Sequence, residues 1–243
     1  APLTILGTGM AGIQLARQVR ARDATRPITL ITADSGDDYS KPMLSTGFAK
    51  GLPPARLASR DALSLAESLD AVVRTHTRVT AIDPLTKCLK IGSETLPYGE
   101  LVLATGAAPV APFSIPPGLA TRVFTINDLD DYRVFHAALG TLARPARVAI
   151  IGSGLVGCEY ANDLVAGGHG VTLIAPEPTP LARLLPETLG AALKEAFQEA
   201  GIALEMGRTL AALDEDGGQL ALTLDDGRAL EADLVLVATG LAP

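Results

Sequence analysis

Close to the start of the chain stands Leu3-Thr4-Ile5-Leu6-Gly7-Thr8-Gly9-Met10-Ala11-Gly12, an apolar strand running into Gly-x-Gly-x-x-Gly, and a helical stretch follows from Ile13 to Arg22. The pattern returns as Val148-Ala149-Ile150-Ile151-Gly152-Ser153-Gly154-Leu155-Val156-Gly157, again followed by a helical stretch, Cys158 to Val165. In such a turn the first glycine permits the sharp exit from the strand. The second removes a side chain so that a pyrophosphate can approach the backbone, and the third lets helix and strand pack closely. The helix N-terminus then offers free N–H groups and partial positive charge to the phosphates. One such motif is weak evidence; two with matching flanks predict two nucleotide-binding units.

Each copy continues in the same way. A second strand follows, Ile28 to Thr32 in the first copy and Val171 to Ile174 in the second. Each copy closes on an apolar strand ending in Ala-Thr-Gly, Ala104-Thr105-Gly106 and Ala238-Thr239-Gly240. Short alternating runs precede these closing strands: Arg78 to Ile82, Leu89 to Ile91, and Ala221 to Leu224. They predict a small antiparallel sheet in each unit. Leu189, Ala192, Leu193, Ala196 and Phe197 have helical spacing within Pro186 to Ala200. Between the copies, Ala107 to Gly118 holds Pro109, Pro112, Pro116 and Pro117, a density that stops helix and central strand alike and predicts a connection. The fold class expected is α/β, with two Rossmann-like three-layer (ββα) units.

Composition agrees with that class. The 243 residues are 48% hydrophobic and 19% charged, with 4% aromatic residues and no Trp, a mix suited to buried parallel strands under helices. Apolar runs are broken well before the ~18 residues of a membrane span. No basic segment leads an apolar stretch in the manner of a signal peptide. A net charge of −7 argues against general binding of nucleic acid. Arg17, Arg20, Arg22 and Arg26 crowd one segment, readable as a solvated helix face or as a docking patch for an acidic partner. Cys88 and Cys158 are the only cysteines and His76, His136 and His169 the only histidines; none has the spacing of a metal site or a disulfide scaffold. A cytoplasmic address is the expectation.

In this motif class an acid at the end of the second strand accepts the ribose hydroxyls. Ala33-Asp34 stand there in the first unit, with Asp37 and Asp38 as alternatives and an ordinary exposed turn as the plain reading of Asp34. The second unit reads Ala175-Pro176-Glu177 at that place and shows no arginine pair for a 2′-phosphate. Glu177 therefore points to NAD(H), with NADP(H) left open.

The order of these motifs resembles the FAD-dependent pyridine nucleotide–disulfide oxidoreductases, in which an NAD(P) domain is inserted within an FAD domain. Asp37 to Phe48, Thr75 to Asp83, Ile126 to Leu129 and Gly157 to Leu164 narrow the similarity to its rubredoxin–NAD reductase branch, over essentially the whole chain. The resemblance implies FAD on the first unit (residues 1–112) and NAD(H) on the second (residues 113–241). It further implies that the returning half of the FAD domain and a C-terminal interface domain lie outside these 243 residues. It places Lys41, with Pro42, beside the flavin, Val79 against adenine through its backbone, and Glu159 at the flavin–nicotinamide junction, paired with a lysine. The plain readings are a surface lysine, a buried β-branched residue and a carboxylate near a helix N-terminus.

Disulfide reductases of this family carry a Cys-x-x-x-x-Cys pair after the second strand; Tyr39 to Lys50 contains no cysteine. Electrons would therefore leave the flavin directly. The expected activity is hydride transfer from NADH to FAD and then single electrons to a small carrier protein, rubredoxin. Alternatives are a reductase of ferredoxin or another acceptor, and a non-catalytic dinucleotide sensor.

Overall fold

The computed structural model describes residues 1–142 and 145–242. They form two compact units, one of Ala1–Lys41 with Ala55–Ala107, the other of Pro42–Pro54 with Ala108–Pro243.

The first unit is built on a parallel sheet. Its elements are β1 (Leu3–Leu6), α1 (Met10–Arg22), β2 (Ile28–Ile31), α2 (Ala62–Leu69), β3 (Val72–Arg74), β4 (Ala81–Asp83), β5 (Cys88–Ile91), β6 (Glu94–Pro97) and β7 (Glu100–Leu103). The parallel order is β3-β2-β1-β7, and β4-β5-β6 form a separate antiparallel sheet. Strand alternation sorts the core onto two faces. Leu3, Ile5, Ile28 and Leu30 pack with Ile13 and Ala16 of α1 and Leu65 and Leu69 of α2. Leu6 and Ile31 point the other way, onto Leu89 of the antiparallel sheet. Helices, parallel sheet and antiparallel sheet make the three layers.

The second unit repeats the plan with β8 (Val123–Phe124), α3 (Leu129–Gly140), β9 (Arg147–Ile151), α4 (Leu155–Ala166), β10 (Gly170–Ala175), α5 (Glu187–Glu199), β11 (Ala203–Met206), β12 (Leu210–Asp216), β13 (Gln219–Leu224), β14 (Ala229–Ala232) and β15 (Leu234–Val237). Its parallel order is β8-β15-β9-β10-β11, with β12-β13-β14 antiparallel. Leu213, Leu220, Leu222 and Leu224 of the small sheet are buried on Ala149, Ile151, Ile174, Val235 and Val237 of the large one. The proline-rich connection contributes one short pairing, Ala108–Pro109 antiparallel to Leu241–Ala242.

Both fingerprint helices start three residues earlier than their apolar spacing predicts, at Met10 and Leu155, because the variable positions of each glycine motif already form the first helical turn. Helix α3 was not anticipated. Its start is marked by Asp128, whose side chain accepts from the Asp131 N–H. The arginine-rich segment is used structurally. Arg20 caps the C-terminal carbonyls of two segments, donating to Leu69 and Asp70 at 2.7 and 2.8 Å and to Ala24 at 2.7 Å. Arg17 pairs with Asp38 and Arg26 with Glu100, which favours the solvated-face reading of that segment over an open docking patch. Among the described residues no helix is long and apolar enough to cross a membrane.

Candidate functional site

The two glycine turns are built by the same contacts. Gly7 N–H donates to Ile31 O and Gly152 N–H to Ile174 O, both at 2.8 Å, which ties each turn to the neighbouring strand. Gly7 and Gly152 have φ of 110° and 108°, a region that L side chains rarely adopt. A Cβ there would also lie 2.2 Å from Ala104 O and 2.5 Å from Ala238 O, respectively. Thus Ala104 and Ala238, the first residues of the two Ala-Thr-Gly endings, close on the first glycine of their own unit. The third glycines are equally constrained: a Cβ on Gly12 would lie 2.0 Å from Gly7 O, and one on Gly157 would lie 1.9 Å from Gly152 O.

The middle glycines are different. Gly9 has φ −67° and ψ 179°, Gly154 has φ −75° and ψ −174°, and both are ordinary extended conformations. A Cβ on either would meet no atom within 4 Å. Among the described residues nothing requires glycine there, so the open space in front of Gly9 and Gly154 fits a ligand backbone passing close by. Each is the N-cap of its helix and supplies no side-chain cap, and neither first turn holds an acid. By contrast α2 and α3 are capped by Asp61 and Asp128. Two uncapped, uncompensated helix N-termini are suited to an anionic pyrophosphate. Met10, Ala11, Leu155 and Val156 are exposed beside them, while Thr8 and Ser153 are buried.

Asp34 stands past the end of β2, partly buried. Its Oδ1 accepts from Thr32 Oγ1 at 2.6 Å, Gly36 N–H at 2.9 Å and Thr8 Oγ1 at 3.4 Å. The carboxylate is thus fixed through one oxygen to the glycine turn and its own loop, and among the described residues Oδ2 accepts no hydrogen bond. That is the geometry of a carboxylate available to hydroxyls. Asp38 instead is held by Arg17 and Arg60. Ala33 is exposed next to Asp34, and Val79 lies just before β4 with its side chain against the Leu6–Ile31–Leu89 core. Thr105 follows Ala104 and Gly106 turns the chain at φ 70°.

In the second unit, Glu177 follows β10 as its sequence position suggests. The sequence shows no arginine pair directly after this strand; the fold brings one arginine back to the acid from the following loop, Arg183 Nη2 pairing with Glu177 Oε1 at 2.8 Å. Arg208 comes to the same strand end, its backbone N–H donating to Ala175 O at 3.0 Å. The loop carrying Arg183 turns at Leu181, a non-glycine residue at φ 56°, which costs roughly 1–2 kcal/mol. Its N–H donates to Ser153 O inside the glycine turn at 2.9 Å. Cys158 donates its thiol to the same oxygen at 3.3 Å. Burial pushes that thiol up to about 11, so Cys158 is a packing residue. At the other end of the unit, Thr239 donates to Val110 O and Gly240 turns at φ 104°.

Glu159 is exposed on α4, and its partner differs from the expected lysine: Ser45 Oγ donates to Glu159 Oε2 at 2.6 Å. One turn further along α4, Asp163 is buried and accepts from the backbone N–H groups of Phe48, at 3.1 Å, and Ala49, at 2.8 Å. Burial raises the Asp163 carboxyl above the usual range, against the lowering effect of those N–H bonds. Phe48 is enclosed by Tyr132, Phe135, His136 and His169, with ring centroids 5.3–6.0 Å away. Helix α4 therefore anchors the Pro42–Pro54 segment through two carboxylates four residues apart. Lys41 is exposed at the start of that segment's 3₁₀ turn, followed by exposed Pro42.

Two glycine-turn units, each with an uncapped helix N-terminus and an acid after the second strand, define a protein that binds two dinucleotides. The chain belongs to the pyridine nucleotide–disulphide oxidoreductase family, whose sequence profile it matches over residues 1–243. That family binds FAD and a nicotinamide dinucleotide. The chain is 40% identical over 243 residues to a rubredoxin–NAD(+) reductase of Alcanivorax borkumensis, covering 100% of this chain and 63% of that protein. It is 38% identical over 242 residues to a nitric oxide reductase FlRd–NAD(+) reductase of Aeromonas hydrophila, covering 99% and 61%. The chain thus spans a little over three-fifths of the curated relatives it matches. Among solved structures it is similar to the putidaredoxin reductase of a covalent putidaredoxin complex, with TM-score 0.87, 26% identity, and 100% and 59% covered. It is also similar to a ferredoxin reductase from Rhodopseudomonas palustris, with TM-score 0.86, 27% identity, and 99% and 59% covered.

Proposed function

We propose that this chain carries the FAD and NADH sites of a flavoprotein reductase that passes electrons from NADH to rubredoxin. The observation that carries the reading is the pair of middle glycines: the fold does not need them, and a close-approaching pyrophosphate does. The first unit, within residues 1–112, would hold FAD and the second, within residues 113–241, NADH. The N–H groups behind Gly9 and Gly154 bind the two pyrophosphates. Asp34 takes the FAD adenosine ribose through Oδ2, Val79 offers its backbone to adenine, and Ala104, Thr105 and Gly106 line the same strand ends. Glu177 takes the NADH ribose, and Ala238, Thr239 and Gly240 border that site. Lys41 and Pro42 adjoin the flavin, where a lysine cation favours reduced, anionic flavin. Glu159, oriented by Ser45, serves at the flavin–nicotinamide junction.

Bound together, the cofactors supply hydride acceptance and one-electron release; the protein's part is to orient the two rings and set the charge around them. Rubredoxin as acceptor is supported by the name of the Alcanivorax relative. The absence of a cysteine pair in Tyr39 to Lys50 supports direct delivery from flavin to an outside carrier.

An anaerobic absorbance spectrum of the FAD-reconstituted protein, before and after one equivalent of NADH, tests the reading. A bound-flavin spectrum that bleaches is expected, with reoxidation by rubredoxin. Dinucleotide binding without bleaching would replace the reductase by a sensor, and reoxidation by ferredoxin alone would change the acceptor.

A further inference from the structure

We infer that Asp163 is a positioning residue for hydride transfer: by fixing the turn that starts at Gly47, it sets the Ser45 hydroxyl on Glu159. The inference rests on the reading of Glu159 as a group that serves where flavin and nicotinamide meet.

The Ser45 hydroxyl has two acceptors within reach and one hydrogen to give. Glu159 Oε2 lies 2.6 Å away, and Pro42 O, three residues back in its own chain, lies 3.1 Å away. Local preference favours the carbonyl, a common partner of a serine in a helical turn. Ser45 itself leaves helical geometry, at φ −95° and ψ 23°, a sparsely populated region that surrounding structure must hold.

The chain that follows Ser45 is held from several sides. Asp163, 1% exposed, accepts from the Phe48 N–H through Oδ2 at 3.1 Å and from the Ala49 N–H through Oδ1 at 2.8 Å. A Cβ on Gly47 would lie 2.3 Å from Tyr132 Oη, and one on Gly167 would lie 2.8 Å from Phe48 Cβ, so the turn rests on α3 and on the end of α4. Its own bonds close it, Leu52 N–H on Gly47 O at 2.9 Å and Gly51 N–H on Phe48 O at 3.0 Å. Burying a carboxylate is costly, and an apolar side chain of the same size would fill this place as well. What an apolar side chain lacks is a pair of acceptors. Among the described residues Asp163 forms no ion pair, so both its oxygens serve the turn. Asp163 and Glu159 stand one helical turn apart on α4, and the segment fixed by the first brings Ser45 to the second. Without Asp163 the hydroxyl returns to Pro42 O and Glu159 loses its donor.

Amide hydrogen exchange on the apoproteins and anaerobic stopped-flow reduction of the FAD-loaded proteins by NADH test this in Asp163→Asn, Ser45→Ala and the double variant. Asparagine keeps the volume but offers one acceptor oxygen and turns donors toward the other N–H. The Phe48 and Ala49 amides should exchange roughly tenfold faster in Asp163→Asn, the scale of one lost charge-assisted bond, and at the wild-type rate in Ser45→Ala. The limiting rate of flavin bleaching should fall roughly tenfold in both single variants, with NADH affinity unchanged. The double variant should be no slower than the slower single one, because both substitutions remove the same contact. Effects that multiply in the double variant, or wild-type bleaching in either single variant, would overturn the positioning role and leave Asp163 a residue of stability alone. Unchanged exchange in Asp163→Asn would overturn its hold on the turn. A wild type that NADH does not bleach would overturn the reductase reading itself, and this inference with it.

Discussion

Substituting the middle and the third glycine of one turn separates what the fold needs from what the ligand needs. In Gly12→Ala the new Cβ would lie 2.0 Å from Gly7 O and 3.1 Å from Gly7 C, both backbone atoms that cannot rotate away. Helix and turn must part, a form of overpacking that costs about 1–3 kcal/mol. For a chain of this size that lowers the melting temperature by roughly 2–12 °C. In Gly9→Ala the new Cβ meets nothing within 4 Å, and φ −67°, ψ 179° suits alanine. Reduced freedom of the unfolded chain stabilises by ~0.4–1 kcal/mol. Alanine is a poorer N-cap than glycine by about 0.5–1 kcal/mol, which offsets that gain. The net change should stay within ~0.5 kcal/mol, or about 2 °C. Scanning calorimetry of the apoproteins should therefore show Gly9→Ala melting like wild type and Gly12→Ala well below it. Flavin affinity should fall roughly tenfold or more in both. If Gly9→Ala melts as low as Gly12→Ala, the fold requires the second glycine; if it retains flavin as the wild type does, no ligand passes over Gly9. Either result refutes the reasoning.

Two further expectations concern groups that burial has shifted. With its thiol pushed up to about 11, Cys158 should resist iodoacetamide at pH 8 in the native protein and react promptly in guanidinium; peptide mapping that finds it labelled first would contradict its packing role. Burial lowers His136 and His169 below the ordinary imidazole value, and proximity to His136 lowers His169 further. Because the unfolded chain then binds more protons, the stability these histidines contribute is present above about pH 6.5 and is lost as pH falls through the window below it. Asp163 acts oppositely, since its raised carboxyl favours the folded state on acidification. Melting profiles between pH 7.5 and 5.5 should fall through the histidines, and His136→Phe should flatten part of that fall; an unchanged slope would exclude His136 as a contributor.

What could be read from the sequence follows from how local each requirement is. The glycine turns were legible because positive φ at Gly7 and Gly152, and close packing at Gly12 and Gly157, are imposed by neighbours within the same strand–turn–helix unit and its closing strand. The local placement of Asp34 at the strand end is of the same kind, since its partners Thr32 and Gly36 are two residues away. Ser45 on Glu159 was not, because 114 residues separate them and only the docking of the Pro42–Pro54 segment on α4 brings them together. Asp163 carried no sequence signal of its own, because its two backbone donors, Phe48 and Ala49, lie 115 and 114 residues away. The loop after β10 hid Arg183 because its turn uses Leu181 at φ 56° where glycine would have announced it.

The repeat also shows where two copies of one plan diverge. Both acids stand after the second strand, but their surroundings differ in charge. Asp34 is oriented by two hydroxyls and an N–H, neutral donors that leave a full negative charge at the site. Glu177 is oriented by a guanidinium, which offsets its charge and leaves a cation beside it. The Arg183–Glu177 pair is exposed and is therefore screened by salt, whereas the bonds that hold Asp34 are partly buried and are screened less.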